Sequence, residues 1–443
     1  MAGIASLALA KGHVVTGSDR KIYPPMSNVL NELEIHIDEG YEVQTLKKHP
    51  DLVIIGNALS RGNPSIEYVL NNQIPYISGP EWLKQNVLHD RFVIAIAGTH
   101  GKTTVSSLVA WLLDSAGLNP GFLIGGVPEN FGVSARLGQS KYFIIEADEY
   151  DTAFFDKRSK FVHYQPNVLV INNLEYDHSD IFDNIQDIIK QFHHLVRTMA
   201  ADSVILFPSG HPEIEKVIKL GCWSKVQRFG SKQDDAWVVD FRKLLNKKLI
   251  LTNKNAEEFK ISTPLMGIHN AWNVTAAISV LAQVESNIQP ALNKLASFTN
   301  VSRRLQLVGM PNDITIYDDF AHHPSAIEAS LKAIKKHVNP KKLIAVLEVR
   351  SNTMVMGLHK TTLAEALKTA DSVLILKPNS LKWDLADAMK TLPNIIITEL
   401  AETIVQKVSA VAEQGDSVLI MSNGASENLP KRIVEQIKKT EGI

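Results

Sequence analysis

With one cysteine, Cys222, among 443 residues, the chain has no means of closing an internal disulfide, which suits a reducing compartment. It also lacks an excess of either charge. The 46 lysines and arginines against 47 acidic residues leave a net charge of −1, and no basic run stands out to meet nucleic acid. No apolar stretch reaches the roughly 20 residues that span a bilayer. Residues 1–10 are small and apolar but lack the basic leader of a secretion signal. Internal repeats and low-complexity tracts are missing as well. These absences point to a cytoplasmic protein that handles small molecules, without nucleic acid or membrane; a monomer or weak homodimer is the expectation, though no residue pattern sets the oligomeric state.

What is present is ordinary in bulk. Apolar residues make up 45% and charged residues 21%, as in globular proteins, and the length predicts two to three domains. Residues 1–19 read as a helix, a stop at Gly12 and a strand ending at Asp19. That is the middle of a dinucleotide-type βαβ unit, whose opening strand and glycine-rich turn are expected to be missing. A buried strand is expected at 52–57 and a helix at 79–90. A second α/β unit starts at Arg91, with strands at 92–97, 142–145, 168–171 and 203–207. Short alternating segments with Asn- and Lys-rich turns at 226–262 suggest a small antiparallel insertion, and an amphipathic helix starts at His269. A third α/β pattern follows, with strands at 314–317, 343–347, 373–376, 395–397 and 418–421. The alternation throughout predicts largely parallel sheets.

The most informative stretch is Ala97-Gly98-Thr99-His100-Gly101-Lys102-Thr103-Thr104, which joins an apolar strand to a helix. Its glycines permit a tight turn that brings backbone N–H groups to phosphate oxygens, and the helix N-terminus favours anions. Lys102 would reach the terminal phosphates, and the Thr103 hydroxyl suits Mg²⁺. The motif is shorter than the full P-loop pattern, whose first glycine would fall on Ile96.

Other clusters end strands too. Glu146-Ala147-Asp148-Glu149 is compatible with a Mg²⁺ site or with a solvated acidic turn. His178, among Glu175, Asp177 and Asp180, reads equally as a metal ligand or an ion-paired histidine. Since Mg²⁺ prefers oxygen, a histidine there suggests water-mediated contact or tolerance of Mn²⁺. Asn270 and Asn273 share a helix face and suit adenine or ribose; a helix cap explains one of them equally well. Arg303-Arg304, Asp318-Asp319-Phe320-Ala321-His322-His323-Pro324 and Arg350-Ser351-Asn352-Thr353 could meet nucleotide or substrate, or form surface ion pairs.

In this order the clusters resemble the Mur ligases, the ATP-dependent amide-forming enzymes of peptidoglycan synthesis and recycling. The resemblance runs over nearly the whole chain through G-T-H-G-K-T-T, E-A-D-E, D-H-x-D, H-N-x-x-N, R-R and D-D-F-A-H-H-P. It implies an α/β fold of three domains: a Rossmann-like UDP-sugar domain at 1–90, a P-loop ATPase-like domain at 91–300, and a Rossmann-like amino-substrate domain at 301–443. It implies ATP and Mg²⁺ held by Gly98, Thr99, His100, Gly101, Lys102, Thr103 and Thr104, with Thr103 and Glu146 on Mg²⁺ and His178 supporting a second metal ion. Asn270 and Asn273 would meet the nucleotide, Arg304 the γ-phosphate and Asp319 the ribose. Lys102, Glu146, His178 and Arg304 would carry the chemistry. Ser18, Asp19, Asn57 and Ser60 would face UDP-N-acetylmuramate, and Arg350 the amino substrate.

Three stretches, 17–27, 149–160 and 350–354, resemble the branch that adds the tripeptide L-alanyl-γ-D-glutamyl-meso-diaminopimelate rather than the branch that adds L-alanine. Some family members carry a carbamylated lysine about fifteen residues after the motif histidine. Here Lys190-Gln191-Phe192-His193-His194 offers none at that place, so no carbamate is expected. Read from the loop alone, a P-loop ATPase without ligation also fits. A dinucleotide-dependent oxidoreductase fits less well, because the best phosphate loop lies in the second unit.

Overall fold

The computed structural model describes residues 1–22, 26–240, 248–424 and 426–439. Tyr23, Pro24 and Pro25, inside the first of the three discriminating stretches, lie outside the described residues. The chain starts in a helix, Ala2–Ala10, followed by a parallel pair, β1 (Thr16–Asp19) and β2 (His36–Glu39). A second parallel pair is β3 (Val53–Ile55) and β4 (Tyr76–Ser78). The helix expected at 79–90 is split. Ser78 caps the turn Gly79–Leu83, and a π-helical turn, Lys84–Leu88, completes it. Trp82 and Leu83 pack with Ile4 and Leu7 against one face of the central sheet, which docks the first domain onto the second.

That sheet is built from β5 (Phe92–Ala97), β6 (Gly121–Leu123), β7 (Ala135–Arg136), β8 (Tyr142–Glu146), β11 (Val168–Ile171), β12 (Val204–Pro208), β13 (Lys225–Gly230), β14 (Trp237–Val239), β15 (Lys248–Asn253) and β16 (Glu258–Ser262). A separate hairpin, β9 (Asp151–Ala153) and β10 (Asp156–Ser159), lies between β8 and β11 in sequence. The strand order is β16-β15-β14-β13-β12-β11-β5-β8-β6-β7. It is parallel from β14 to β6 and antiparallel at both edges. The antiparallel insertion expected at 226–262 therefore begins later, at Trp237, and extends the main sheet by hydrogen bonding to it; residues 241–247 lie outside the described residues.

Strand β5 explains its own unbroken apolar sequence. Ile94 and Ile96 enter the core on one face, with Val105 and Leu108, while Val93, Ala95 and Ala97 enter the core on the other. A strand covered on both sides has no polar face to show. Strand β5 is flanked by β8 on one side and β11 on the other, so the carboxyl ends of these neighbours frame a crevice. Open parallel sheets bind ligands at such a point.

The third domain is a sheet of order β17-β18-β22-β19-β20-β21, formed by β17 (Gln306–Gly309), β18 (Thr315–Asp319), β19 (Leu343–Glu348), β20 (Ser372–Leu376), β21 (Ile395–Thr398) and β22 (Ser417–Met421). Only the β17–β18 pair is antiparallel. Among the described residues, no helix is long and apolar enough to cross a membrane.

Candidate active site between the central and C-terminal domains

The loop after β5 turns through two glycines in left-handed backbone, Gly98 at φ +129° and Gly101 at φ +80°. Gly101 then opens the helix Lys102–Ser115, and no side chain caps that helix. Its first N–H groups face the crevice, as an anion site requires. Space enforces the second glycine as well. A Cβ on Gly101 would stand 2.6 Å from both Asn172 Nδ2 and Asn273 Oδ1. Gly101→Ala is expected to cost about 2 kcal/mol of stability and to weaken ATP binding. An unchanged denaturation midpoint would contradict this.

Amides hold the loop from below. Asn173 accepts the His100 N–H at 2.7 Å and donates to its carbonyl at 3.0 Å. Asn172 donates to the same carbonyl and to Asn273 Oδ1, both at 3.0 Å. Asn273 donates to Asn270 at 3.0 Å, and Asn270 to the Met266 carbonyl at 2.8 Å. Asn270 and Asn273 are thus buried links beneath the loop, committed to this relay. In this structure they support the loop that would hold the nucleotide.

On the crevice side, Lys102 Nζ donates to the Gly98 carbonyl at 2.7 Å and to Glu149 at 2.9 and 3.2 Å. Burial pulls the Lys102 ammonium down, but Glu149 and Asp148 outweigh it and hold it above the ordinary lysine value. Burial likewise pushes the Glu149 carboxyl up, and Lys102 and His178 overcome that and keep it ionised. His178 Nε2 lies 3.1 Å from Glu149 and its Nδ1 2.8 Å from the Tyr150 hydroxyl. Its left-handed φ of 57° marks a residue held in place by its surroundings.

Thr103 donates to Glu146 Oε1 at 3.0 Å, and Gly125 N–H donates to Glu146 Oε2 at 2.8 Å. Thr103 and Glu146 therefore come together as expected. His178, expected at a second ion, stands apart from this pair with its ring nitrogens on Glu149 and Tyr150.

The third domain reaches across the crevice. Arg304 Nη2 donates to the Thr103 hydroxyl at 3.0 Å, with its guanidinium 4.8 Å from the Phe320 ring centre. Burial pulls the Arg304 pKa below the ordinary arginine value. Asp319 is buried at the end of β18, where Ser330 and the Phe320 N–H donate to it. Thr353 donates to Asp177 at 3.0 Å, and Asn352 to Asp180 at 3.2 Å. Between them lies a cavity of about 200 Å³ lined by Tyr150, His178, His322, Arg350 and Asn423. Arg350 is thereby brought near His178. Ser18 and Asp19 on β1, and Asn57 and Ser60 after β3, are exposed on the first domain.

Glu149 as the partner of Lys102, and Asn172 and Asn173 as the floor of the loop, emerge only in the folded chain. Their positions after β8 and β11, the strands flanking β5, were the available signal.

Family models match along the chain: the Mur ligase family catalytic domain at residues 1–91, the Mur ligase middle domain at 96–281, and the Mur ligase glutamate ligase domain at 303–424. A Haemophilus influenzae protein named UDP-N-acetylmuramate–L-alanyl-γ-D-glutamyl-meso-2,6-diaminoheptandioate ligase is 44% identical over 99% of this chain and 97% of its own. The chain belongs to the Mur ligase family. This Mur ligase is also similar to a protein of the same name from Escherichia coli, 46% identical over 99% of this chain and 96% of that one. The murein peptide ligase of Psychrobacter arcticus has a similar structure, with a TM-score of 0.77, 37% identity, and coverage of 99% and 96% of the two chains. The family uses ATP.

Proposed function

We infer that this ligase joins UDP-N-acetylmuramate to L-alanyl-γ-D-glutamyl-meso-diaminopimelate, forming an amide bond at the expense of ATP. The observation that carries the reading is the contrast in identity. Relatives named for that tripeptide stand at 44–46%, whereas those named UDP-N-acetylmuramate–L-alanine ligase stand at 28–30%. A nucleotide-linked substrate and ATP suit a cytoplasmic location.

A carboxylate does not condense with an amine at neutral pH, because hydroxide is too poor a leaving group. A lactyl carboxylate oxygen of the muramate attacks the γ-phosphorus of ATP, the bridging P–O bond breaks and ADP leaves. The amine then attacks the acyl carbon of the acyl phosphate, loses its proton, and expels inorganic phosphate. Positioning and charge neutralisation are the protein's share. Lys102 and Arg304 approach the phosphates from opposite domains, and the N-terminus of Lys102–Ser115 supplies backbone donors. Asn172 and Asn173 keep the loop in shape. Mg²⁺ fits the oxygen pair of Thr103 and Glu146, and would offset the charge of the β- and γ-phosphates there. His178 holds Glu149, which in turn aims Lys102. Arg350, which lines the cavity between the domains, would meet a carboxylate of the peptide.

An ADP-release assay tests the reading. ADP should appear only when both UDP-N-acetylmuramate and an acceptor are present, with kcat/KM for the tripeptide about 100-fold or more above that for L-alanine. A preference for L-alanine would assign the protein to the other branch. ADP release without co-substrates would make it a simple ATPase.

A further inference from the structure

A second group of donors stands on the side of the phosphate loop that faces the C-terminal domain, and the ligation steps leave it unused. His100 comes from the loop itself, Glu175 from the segment after β11, and His323 from the N-cap of the helix Pro324–His337. His100 Nε2 and His323 Nδ1 lie 3.6 and 3.5 Å from the same oxygen, Glu175 Oε2. One ligand atom from each residue falls within 4.8 Å of the other two. In a four-coordinate site with bonds of about 2.0–2.1 Å, ligand atoms stand about 3.4 Å apart. The two measured edges match that spacing.

The backbone fixes each donor in advance. His100 is gripped by Asn172 and Asn173 through its own N–H and carbonyl. Thr99 Oγ1 accepts the Glu175 N–H at 2.8 Å and donates to its carbonyl. His323 starts a helix, and its Nδ1 accepts the Ser325 N–H only at 3.4 Å, a weak bond that an ion would replace at small cost.

One hydroxyl now bridges the group. Ser325 Oγ is 2.8 Å from Glu175 Oε2, 2.8 Å from His323 Nδ1 and 3.3 Å from His100 Nε2. It carries a single proton for three groups. Against His323 packs the ring of His359, with centroids 4.5 Å apart, and the buried His359 Nε2 has no hydrogen-bond partner.

We propose that His100, Glu175 and His323 bind a divalent transition-metal ion of the Zn²⁺ and Co²⁺ class, clasping the central domain to the C-terminal domain. Two imidazoles and one carboxylate form a borderline nitrogen–oxygen set that suits these ions, whereas Mg²⁺ requires oxygen ligands. The ATP-linked Mg²⁺ therefore does not compete for it. Three protein ligands leave a fourth position, which Ser325 Oγ or water fills. His100 shares its loop with Lys102, and His323 moves with the third domain. An ion here stabilises the closed arrangement and slows the reopening that product release needs. The site stands independently of which amino substrate the ligase takes.

The test is a titration of the full-length protein with Co²⁺ alone, in millimolar Mg²⁺, read by visible absorption. A single ion should bind at micromolar Co²⁺ with the strong bands of four-coordinate cobalt, and Zn²⁺ should displace it. His323→Ala and Glu175→Gln should each weaken binding about tenfold or more. Glu175→Gln preserves shape, so it carries the test if His323→Ala fails to fold by circular dichroism. Absence of bound Co²⁺ at these concentrations, or equal binding by wild type and a folded variant, overturns the proposal.

Discussion

Lys102→Ala is expected to lower the ligation rate about 1000-fold or more, a loss of about 4 kcal/mol of transition-state stabilisation. The lysine is the one side-chain cation of the loop, and its ammonium is already aimed by the Gly98 carbonyl and Glu149. Its removal has a second consequence. Glu149 has a side-chain exposure of only 3% and would keep His178 as its sole charged neighbour at hydrogen-bond distance. Breaking a buried pair from one side costs about 3 kcal/mol or more, so the variant should also melt earlier. The double variant Lys102→Ala with Glu149→Gln separates the two effects: it should recover stability without recovering rate. A single variant that retained ligation within about threefold of wild type (~0.7 kcal/mol) would remove Lys102 from the chemistry. The pair also sets a pH dependence. Glu149 titrates below its ordinary value of 4.5 in the fold, so its contribution is complete above that pH. It is lost as the pH falls toward the depressed value.

Arg304→Lys should be almost as damaging as Arg304→Ala, each lowering kcat about 1000-fold. The guanidinium donates to Thr103 while stacked on Phe320, and the compact ammonium of lysine cannot do both. Because this contact joins two domains, the loss should appear in kcat for the chemical step and in weaker closure by small-angle scattering. A lysine variant with near-normal kcat would show that positive charge suffices and that the flat, stacked geometry is irrelevant.

Strands were the easiest part of this molecule to read. The segments 92–97 and 168–171 were expected at the observed bounds, because a strand buried on both faces has an unbroken apolar run with polar ends. The glycine-rich loop was legible for a similar reason: its conformation demands particular residues. The relay of Asn172, Asn273 and Asn270 was not legible. It joins residues 101 positions apart, and nothing local distinguishes an amide that holds a ligand from one that holds a loop. Glu146 and Glu149 belong to one short acidic run, yet one takes Thr103 and the other Lys102. Which carboxylate faces which partner depends on how the chain leaves β8. His100, Glu175 and His323 come from three separate segments, and only the packed fold makes them neighbours.

The amide relay has a mechanical consequence. Its last link, the Met266 carbonyl, sits just before the helix Ile268–Val284, whose far end leads on to Arg303 and Arg304. The glycine-rich loop and the start of that helix are thus tied together through three side-chain amides, so a change in one is felt in the other.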